Sequence, residues 1–198
     1  MRYRSGNISD KNKWKMKIAV FCSANNSIAP VYFQKTEELG RWMAAGGHTL
    51  VYGGCNSGLM ECVGRAVHEG GGMTIGVIPT LVEKGGRQSQ YVDVEIPCDN
   101  LDDRKHLMQV QCDVAVALPG GIGTLDEVFT LVASHTIGYH QKMVILYNID
   151  GFWDSLVALL DDLQAKGMIR GQYTQYIQVA DSLEQLQQLL AQVRPSAE

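Results

Sequence analysis

Short apolar runs alternate with longer segments of helical periodicity along the chain. The runs are rich in β-branched residues and show little polar alternation, which is typical of parallel strands covered on both faces. They lie at residues 17–22, 48–52, 74–78, 91–96, 114–118, 143–148 and 176–179. Apolar residues spaced i, i+3, i+4 between them predict helices. These are expected at residues 29–45, 124–136, 152–166 and 182–193, with two more beginning after the turn at 53–60 and after Asp99 or Asn100.

This alternation predicts an α/β fold: a single Rossmann-like, doubly wound, mostly parallel sheet with helices on both faces. Ligands in such sheets bind beyond the carboxyl ends of the strands. The turns expected there are residues 22–26, 53–58, 79–86 and 119–124. A polar loop at residues 82–90 is expected to border the pocket.

The sequence Pro-Gly-Gly-Ile-Gly-Thr at residues 119–124 follows the most apolar strand. We expect Gly120 and Gly121 to take positive φ, and Gly123 to leave the backbone open to a ligand. Thr124 is predicted to begin a helix, so that free amides and the positive end of the helix dipole meet at one point. That point suits a phosphate. The apolar stripe of this helix is expected to be Leu125, Val128, Phe129 and Val132.

Two common nucleotide motifs are absent. The turn at residues 23–27 contains no glycine, so the dinucleotide fingerprint G-x-G-x-x-G is missing. The glycine-rich turn at residues 53–60 lacks the Lys-Ser/Thr pair of a P-loop, which argues against triphosphate and magnesium chemistry.

Three charged residues are candidates for chemistry. Arg104 shares a helix face with apolar residues and therefore needs an anionic partner, either a ligand or a structural carboxylate, unless its head reaches water. Glu127 lies on the side of Thr124 and Leu131, which another element or subunit is expected to cover. Asp126 points elsewhere and is interpreted as a surface acid that matches the helix dipole.

Composition narrows the class of protein. The 198 residues carry a net charge of -4, which argues against nucleic-acid and acidic-membrane partners. Five cysteines without a C-x-x-C pair indicate free thiols and a cytoplasmic location. Residues 1–16 are expected to form a flexible leader and residues 17–194 one domain, and no window reaches membrane-spanning length.

Metal and cysteine chemistry have little support in the sequence. The five histidines show no metal-binding spacing and are interpreted as surface or packing residues. Cys22 is expected near the rim of the pocket, but no nearby base supports a role as a nucleophile.

A phosphate in the glycine turn and the carboxylate one helical turn later would have a ribose between them, with the carboxylate near the anomeric carbon.

The motifs together resemble the LOG (Lonely Guy) family of nucleoside 5'-monophosphate phosphoribohydrolases, many of whose members carry an older label as lysine decarboxylases. Residues 119–127 fit its P-G-G-x-G-T-x-x-E signature, and Arg104-Lys105 resembles its R-K pair. Residues 53–60 are similar to its G-G-G-x-x-G-L-M turn. The resemblance implies hydrolysis of the N-glycosidic bond of AMP or N6-modified AMP (cytokinin ribotides), by a homodimer or larger homo-oligomer without metal or cofactor.

The resemblance also implies roles for particular residues. Arg104 and Glu127 would be the catalytic pair, and Arg104 would keep Glu127 ionised by depressing its pKa. The expected substrate- and phosphate-binding residues are Lys105, Gly120, Gly121, Ile122, Gly123, Thr124, Gly53, Gly54, Ser57, Gly58, Met60, Ser23 and Glu83. One departure concerns the base: plant-type members read T-W-x-Q-L-G where this chain has residues 133–138, Ala-Ser-His-Thr-Ile-Gly.

Two alternatives stay open at this stage. Molybdenum-cofactor carrier proteins resemble this fold and share a glycine-rich phosphate turn, so a binding protein without catalysis is the main rival. The Arg104 and Glu127 pair is the feature that a carrier would not need. Lysine decarboxylation lacks a lysine motif for pyridoxal phosphate.

Overall fold

The computed structural model describes residues 15–193, with the side chains of Val82 and Glu83 left undescribed. The expected leader therefore lies almost entirely outside the described residues. The strands are β1 (Lys17–Phe21), β2 (Thr49–Tyr52), β3 (Met73–Pro79), β4 (Val94–Cys98), β5 (Val114–Ala117), β6 (Val144–Tyr147) and β7 (Ile177–Ala180). The helices are α1 (Pro30–Ala45), α2 (Gly58–Glu69), α3 (Thr80–Lys84), α4 (Leu101–Gln111), α5 (Ile122–Thr136), α6 (Asp154–Ala165) and α7 (Leu183–Leu190).

All seven strands are parallel and form one sheet in the order β4-β3-β2-β1-β5-β6-β7. The predicted α/β class and doubly wound sheet are thus confirmed. The direction of winding reverses between β1 and β5, where Phe21 lies opposite Ala117. Two crossovers leave this point in opposite directions, which opens a crevice at the carboxyl ends of the two strands.

Helices cover both faces of the sheet, as predicted. One core contains buried side chains from α1, α2 and α7, such as Leu39, Val63 and Leu186. The other contains side chains from α4, α5 and α6, such as Met108 and Val128. Because both faces are covered, the strands are apolar along their length, and β5 is buried at every position. Within residues 15–193, every helix is too short or too polar to cross a bilayer.

Several predicted boundaries were wrong. The segment expected to be a loop from residue 82 begins inside the short helix α3. The fourth strand runs from Val94 to Cys98 instead of residues 91–96; it lies at the edge of the sheet, where Val94, Glu95 and Pro97 are exposed and the apolar run is a poor guide to its ends. The helix α5 begins at Ile122, before Thr124.

The buried face of α5 also differs from the predicted stripe. Its buried residues are Thr124, Glu127, Val128 and Leu131, whereas Phe129 is 39% exposed. Hydrophobicity alone could not reveal this rotation, since it places a carboxylate on the buried side. Glu127 therefore lies where an apolar residue would be expected.

Candidate active site

The turns at the carboxyl ends of β1, β2 and β5 are joined by backbone hydrogen bonds. The amide of Ser23 donates to the carbonyl of Pro119 over 3.1 Å, and the amide of Leu59 donates to the carbonyl of Ser23 over 2.8 Å. The loop after β3 joins them through the amide of Asn56, which donates to the carbonyl of Arg87. The predicted convergence of these turns is confirmed.

Asn26 fixes the start of α2 against the first turn. Its carboxamide accepts from the amide of Gly58 over 2.8 Å and donates to the hydroxyl of Ser57 over 3.0 Å. Gly58 has φ +60, and a Cβ there would lie 2.4 Å from the carbonyl carbon of Ala24. Ser57 and Gly58 therefore shape the junction of the two turns. The hydroxyl of Ser23 is likewise used within the turn, where it accepts from the amide of Asn25.

Arg104 and Glu127 face each other across the crevice. Arg104 Nη2 lies 3.5 Å from Glu127 Oε1, and the two side chains are only 14% and 9% exposed. The Nε atom of Arg104 is buried and has no hydrogen-bond partner. A guanidinium has five donor hydrogens, so this one retains unused donors for an anion. The predicted pair is present in the folded chain.

The backbone of Gly53 makes room for Arg104. A Cβ on Gly53 would lie 1.8 Å from Nη2 of Arg104 and 3.2 Å from Sδ of Met60. The close approach explains why this position carries no side chain. Gly53 and Met60, both expected to bind substrate, therefore lie against the arginine that faces Glu127, while Gly54 packs against Ile78.

The charge state of Glu127 differs from the expectation. Burial raises the pKa of Glu127 from 4.5 to about 7, the neighbouring Arg104 opposes the rise, and Asp126 adds to it. Arg104 lowers this pKa, as predicted, but its effect is smaller than that of the lost water around the carboxylate, so the pKa is raised overall and Glu127 is not kept fully ionised. Glu127 titrates near neutral pH.

Lys105 forms ion pairs with the two neighbouring acids. Its Nζ lies 2.9 Å from Oδ1 of Asp126 and 3.2 Å from Oδ1 of Asp102. Asp126 is half-exposed on the outer side of α5, as expected, but it also holds the lysine in place. Lys105 remains close enough to Glu127 to lower its pKa slightly.

The glycine turn presents open backbone at the start of α5. Gly121 is the N-cap with φ -99, and no side chain caps this end of the helix. The expectation of positive φ at Gly120 and Gly121 was wrong, since neither takes it. A Cβ added at Gly121 or Gly123 would meet nothing within 4 Å, whereas one at Gly120 would lie 2.1 Å from Oγ1 of Thr124. Backbone amides of the first helical turn therefore face space that an anion can enter.

Cys22 is buried inside the protein and does not lie at the rim of a pocket. Burial raises its pKa well above the usual value, and Glu127 raises it further. The thiol is therefore protonated, which removes the basis for a nucleophilic role. All five cysteines are free thiols, as predicted. Within residues 15–193, no cluster of three or more His, Cys, Asp or Glu side chains could hold a metal ion.

A groove between α4 and α5 was not predicted. It encloses about 650 Å³ and passes close to the pair at Lys105. Its lining residues are Asp102, Lys105, His106, Gln109, Val110, Thr130, Ser134, Tyr139, His140 and Lys142. The sequence did contain one signal, because Ser134 occupies the position of the tryptophan in the plant-type pattern. The side chain of Glu83, the remaining candidate, lies outside the described part of the chain.

Comparison with known proteins identifies the family of the chain. Residues 60–190 match the family described as "Possible lysine decarboxylase". A probable cytokinin riboside 5'-monophosphate phosphoribohydrolase of Oryza sativa subsp. japonica, LOGL2, is 34% identical over 92% of this chain and 75% of its own length. The Arabidopsis thaliana phosphoribohydrolase LOG2 is 32% identical over 90% and 84%.

Solved structures give the same fold. The molybdenum cofactor binding protein of Rippkaea orientalis superposes with a TM-score of 0.68 and 26% identity over 89% of this chain and 96% of that chain. The relatives and the matched family model cover the R-K pair, the glycine turn and Glu127 within one continuous alignment range. The chain therefore belongs to the LOG family.

Proposed function

We propose that the protein hydrolyses the N-glycosidic bond of nucleoside 5'-monophosphates, releasing the free base and ribose 5-phosphate. The observation that carries the proposal is the buried Arg104 and Glu127 pair, with its 3.5 Å separation and the unpartnered Nε of Arg104, beside the open start of α5. A purely structural ion pair would use its donors within the protein. Here one donor of the arginine is left without a partner, and the backbone at Gly121 and Gly123 is open, which supports a ligand site beside the carboxylate.

The 5'-phosphate would be bound by the glycine turn. The amides of Ile122, Gly123 and Thr124 begin α5, and the helix dipole adds favourable potential for an anion there. Gly120, packed against the Thr124 side chain, and Gly121 shape the turn. Binding energy from the phosphate would position the ribose without contributing to the bond that breaks.

Glu127 would act on the water that attacks the sugar. As the N-glycosidic bond breaks, its electron pair passes to the base and positive charge develops on the ribosyl ring. Glu127 in its ionised form stabilises that charge and accepts a proton from the water, whose oxygen bonds to the anomeric carbon. The proton finally resides on the departing base. A carboxylate with a pKa of about 7 suits a base at neutral pH.

Arg104 would have two tasks. It opposes the effect of burial on Glu127, which keeps a useful fraction of the carboxylate ionised. Its unused donors would contact the phosphate or a ribose hydroxyl. Lys105, bound to Asp126 and Asp102, would support the nucleotide electrostatically from the side of the groove.

AMP and N6-modified AMP are the proposed substrates. The plant relatives are named as cytokinin riboside 5'-monophosphate phosphoribohydrolases, which supports a cytokinin riboside monophosphate as the substrate. Ser134 in place of tryptophan indicates more space around the base. A cytoplasmic location is proposed on the five free thiols.

A homodimer is also proposed. Exposed apolar residues lie along α4 and the two ends of α5: Leu101, Val110, Ile122, Ile137 and Tyr139, each between 57% and 84% exposed. Apolar surface of this extent on adjacent elements is typical of an interface. Light scattering coupled to size exclusion tests it: a mass near 22 kDa at micromolar concentration would contradict a dimer, given the chain mass of 21.8 kDa.

The alternative of a non-catalytic carrier is favoured by the structural similarity to the Rippkaea orientalis protein. One assay separates the two functions. Purified protein is incubated with AMP, other nucleoside monophosphates and the matching nucleosides, and free base is measured by chromatography. Hydrolysis restricted to the 5'-phosphates supports the enzyme. Binding of nucleotides without base release would support the carrier.

A further inference from the structure

A second cavity lies at the carboxyl ends of β6 and β7. It encloses about 260 Å³ between the start of α1, the end of β6 and the start of α7. Its walls are built by other residues than those of the Arg104 and Glu127 site. An inference about this cavity therefore does not depend on the proposed hydrolase function.

The polar lining is strongly acidic. Four carboxylates line the cavity, those of Glu38, Asp150, Asp181 and Glu184, against a single cation, Lys35. Lys35 is already paired with Glu38 over 2.7 Å. Three carboxylates thus remain without a cationic partner among the described residues, and only Asp181 accepts a side-chain hydrogen bond, from the amide of Asn148. The charge of the cavity favours a cationic ligand.

An unpartnered tyrosine hydroxyl gives independent support. Tyr147 is 1% exposed and lines the cavity. Its hydroxyl makes no hydrogen bond to any residue in the described range 15–193, and the oxygen is not sealed inside the protein but opens into the cavity. Burial, together with the charges of Glu38 and Glu184, raises the pKa of Tyr147 to about 12, so the hydroxyl lies within the field of these two acids. It is a neutral group that can accept from a cation held by those acids.

The geometry argues against a metal ion. No three of these carboxylates lie close enough together to hold one. Val31, Ile149 and Leu183 add apolar walls between the acids. Spread negative charge around an apolar centre suits an ammonium carried on an alkyl stem.

From the carboxylates, the free hydroxyl and the apolar walls together, we propose that this cavity binds a small aliphatic amine. The ammonium lies among Glu184, Asp181 and the Tyr147 hydroxyl, and the stem packs against Ile149 and Leu183.

Titration calorimetry with n-butylamine and putrescine tests the site on the full-length protein. Saturable binding of one amine per chain is expected, whereas n-butanol and magnesium chloride should not bind there. Tyr147→Phe should weaken the amine about tenfold without changing the thermal midpoint, because it removes only the unpartnered hydroxyl. Glu184→Gln should weaken it at least as much. Glu69→Gln, an equal change of charge at the end of α2, is the matched control and should bind like the wild type.

Three outcomes would overturn the proposal: no saturable amine binding at millimolar concentration, equal binding by Tyr147→Phe and wild type, or tighter binding of magnesium than of the amine. Base release from AMP is measured in parallel. Because Tyr147 is separate from the hydrolase site, its variant should retain that activity, so failure of the amine site and failure of the hydrolase proposal are distinguishable.

Discussion

The guanidinium of Arg104 lies 3.5 Å from the carboxylate of Glu127, each on a different helix and each almost completely buried. A hydrogen bond between such groups is normally 2.7–2.9 Å long, so the attraction is weaker than in a tight pair. The effect of burial is therefore larger than that of Arg104, and the pKa of Glu127 rises to about 7. The loose pair leaves Glu127 able to exchange a proton near neutral pH and leaves Arg104 with donors for a ligand.

The rate should depend on pH through Glu127. Because the ionised form acts as the base, kcat/KM for AMP should rise with pH up to about 7 and then level off. Arg104 lowers the pKa of Glu127, so Arg104→Gln should move this limb to higher pH as well as lowering the plateau. A pH–rate profile measures both. The second ionisation of the AMP phosphate, near pH 6, would give a limb that does not move in Arg104→Gln. An unmoved limb would thus contradict the role of Glu127.

The free energy of unfolding should fall as pH rises, whereas the rate should increase. The folded state holds the Glu127 proton up to about pH 7, whereas the unfolded chain releases it near 4.5. The wild type therefore loses stability relative to Glu127→Gln as pH rises through this window, by up to about 3 kcal/mol above pH 7. Urea unfolding of both proteins at pH 4.5 and pH 8 checks this, with Glu69→Gln as the control. Equal differences at the two pH values would contradict the raised pKa.

Gly123 should affect the binding of substrate but not the stability of the fold. A Cβ there meets nothing within 4 Å, so Gly123→Ala should keep the wild-type thermal midpoint. The methyl group would occupy the space proposed for the 5'-phosphate, and KM for AMP should rise at least tenfold. Gly120→Ala is the contrasting variant, since its Cβ would lie 2.1 Å from Oγ1 of Thr124 and should lower the midpoint too. Unchanged KM in Gly123→Ala would place the phosphate elsewhere.

Gly53 should position Arg104. Its backbone does not need positive φ, so alanine is tolerated there, but the new Cβ would lie 1.8 Å from Arg104 Nη2. The flexible guanidinium would move, at small cost in stability. A displacement of about 1 Å should lower kcat by about 10²-fold. The same variant should shift the acidic limb of the rate profile upward, as Arg104→Gln does. Wild-type kinetics in Gly53→Ala would contradict the positioning role.

The fold could be predicted from the sequence because parallel strands that are covered on both faces appear as short apolar runs. The edge strand Val94–Cys98 and the short helix α3 were misplaced, since apolar residues such as Val94 and Leu81 are exposed there and the usual periodic pattern is lost. The pairing of Arg104 with Glu127 came from a motif and is present in the structure. The pKa of Glu127 could not be predicted, because it is set by a distance and a degree of burial that no local pattern encodes.

The sequence also did not predict the groove at Ser134 or the ion pair between Lys105 and Asp126. Both depend on how α4 packs beside α5, two helices joined only through β5. Spacing within one helix indicates which side chains share a face, but not which neighbour they meet.

The central claim is that Glu127 promotes cleavage of the glycosidic bond of a phosphate-anchored nucleotide. Release of free adenine from AMP and from adenosine by the wild type, Glu69→Gln and Glu127→Gln tests it most directly. We predict release from AMP only, a loss of about 10²–10⁴-fold in Glu127→Gln with an unchanged circular dichroism spectrum, and little loss in Glu69→Gln. Adenine release by Glu127→Gln at the wild-type rate would contradict the account.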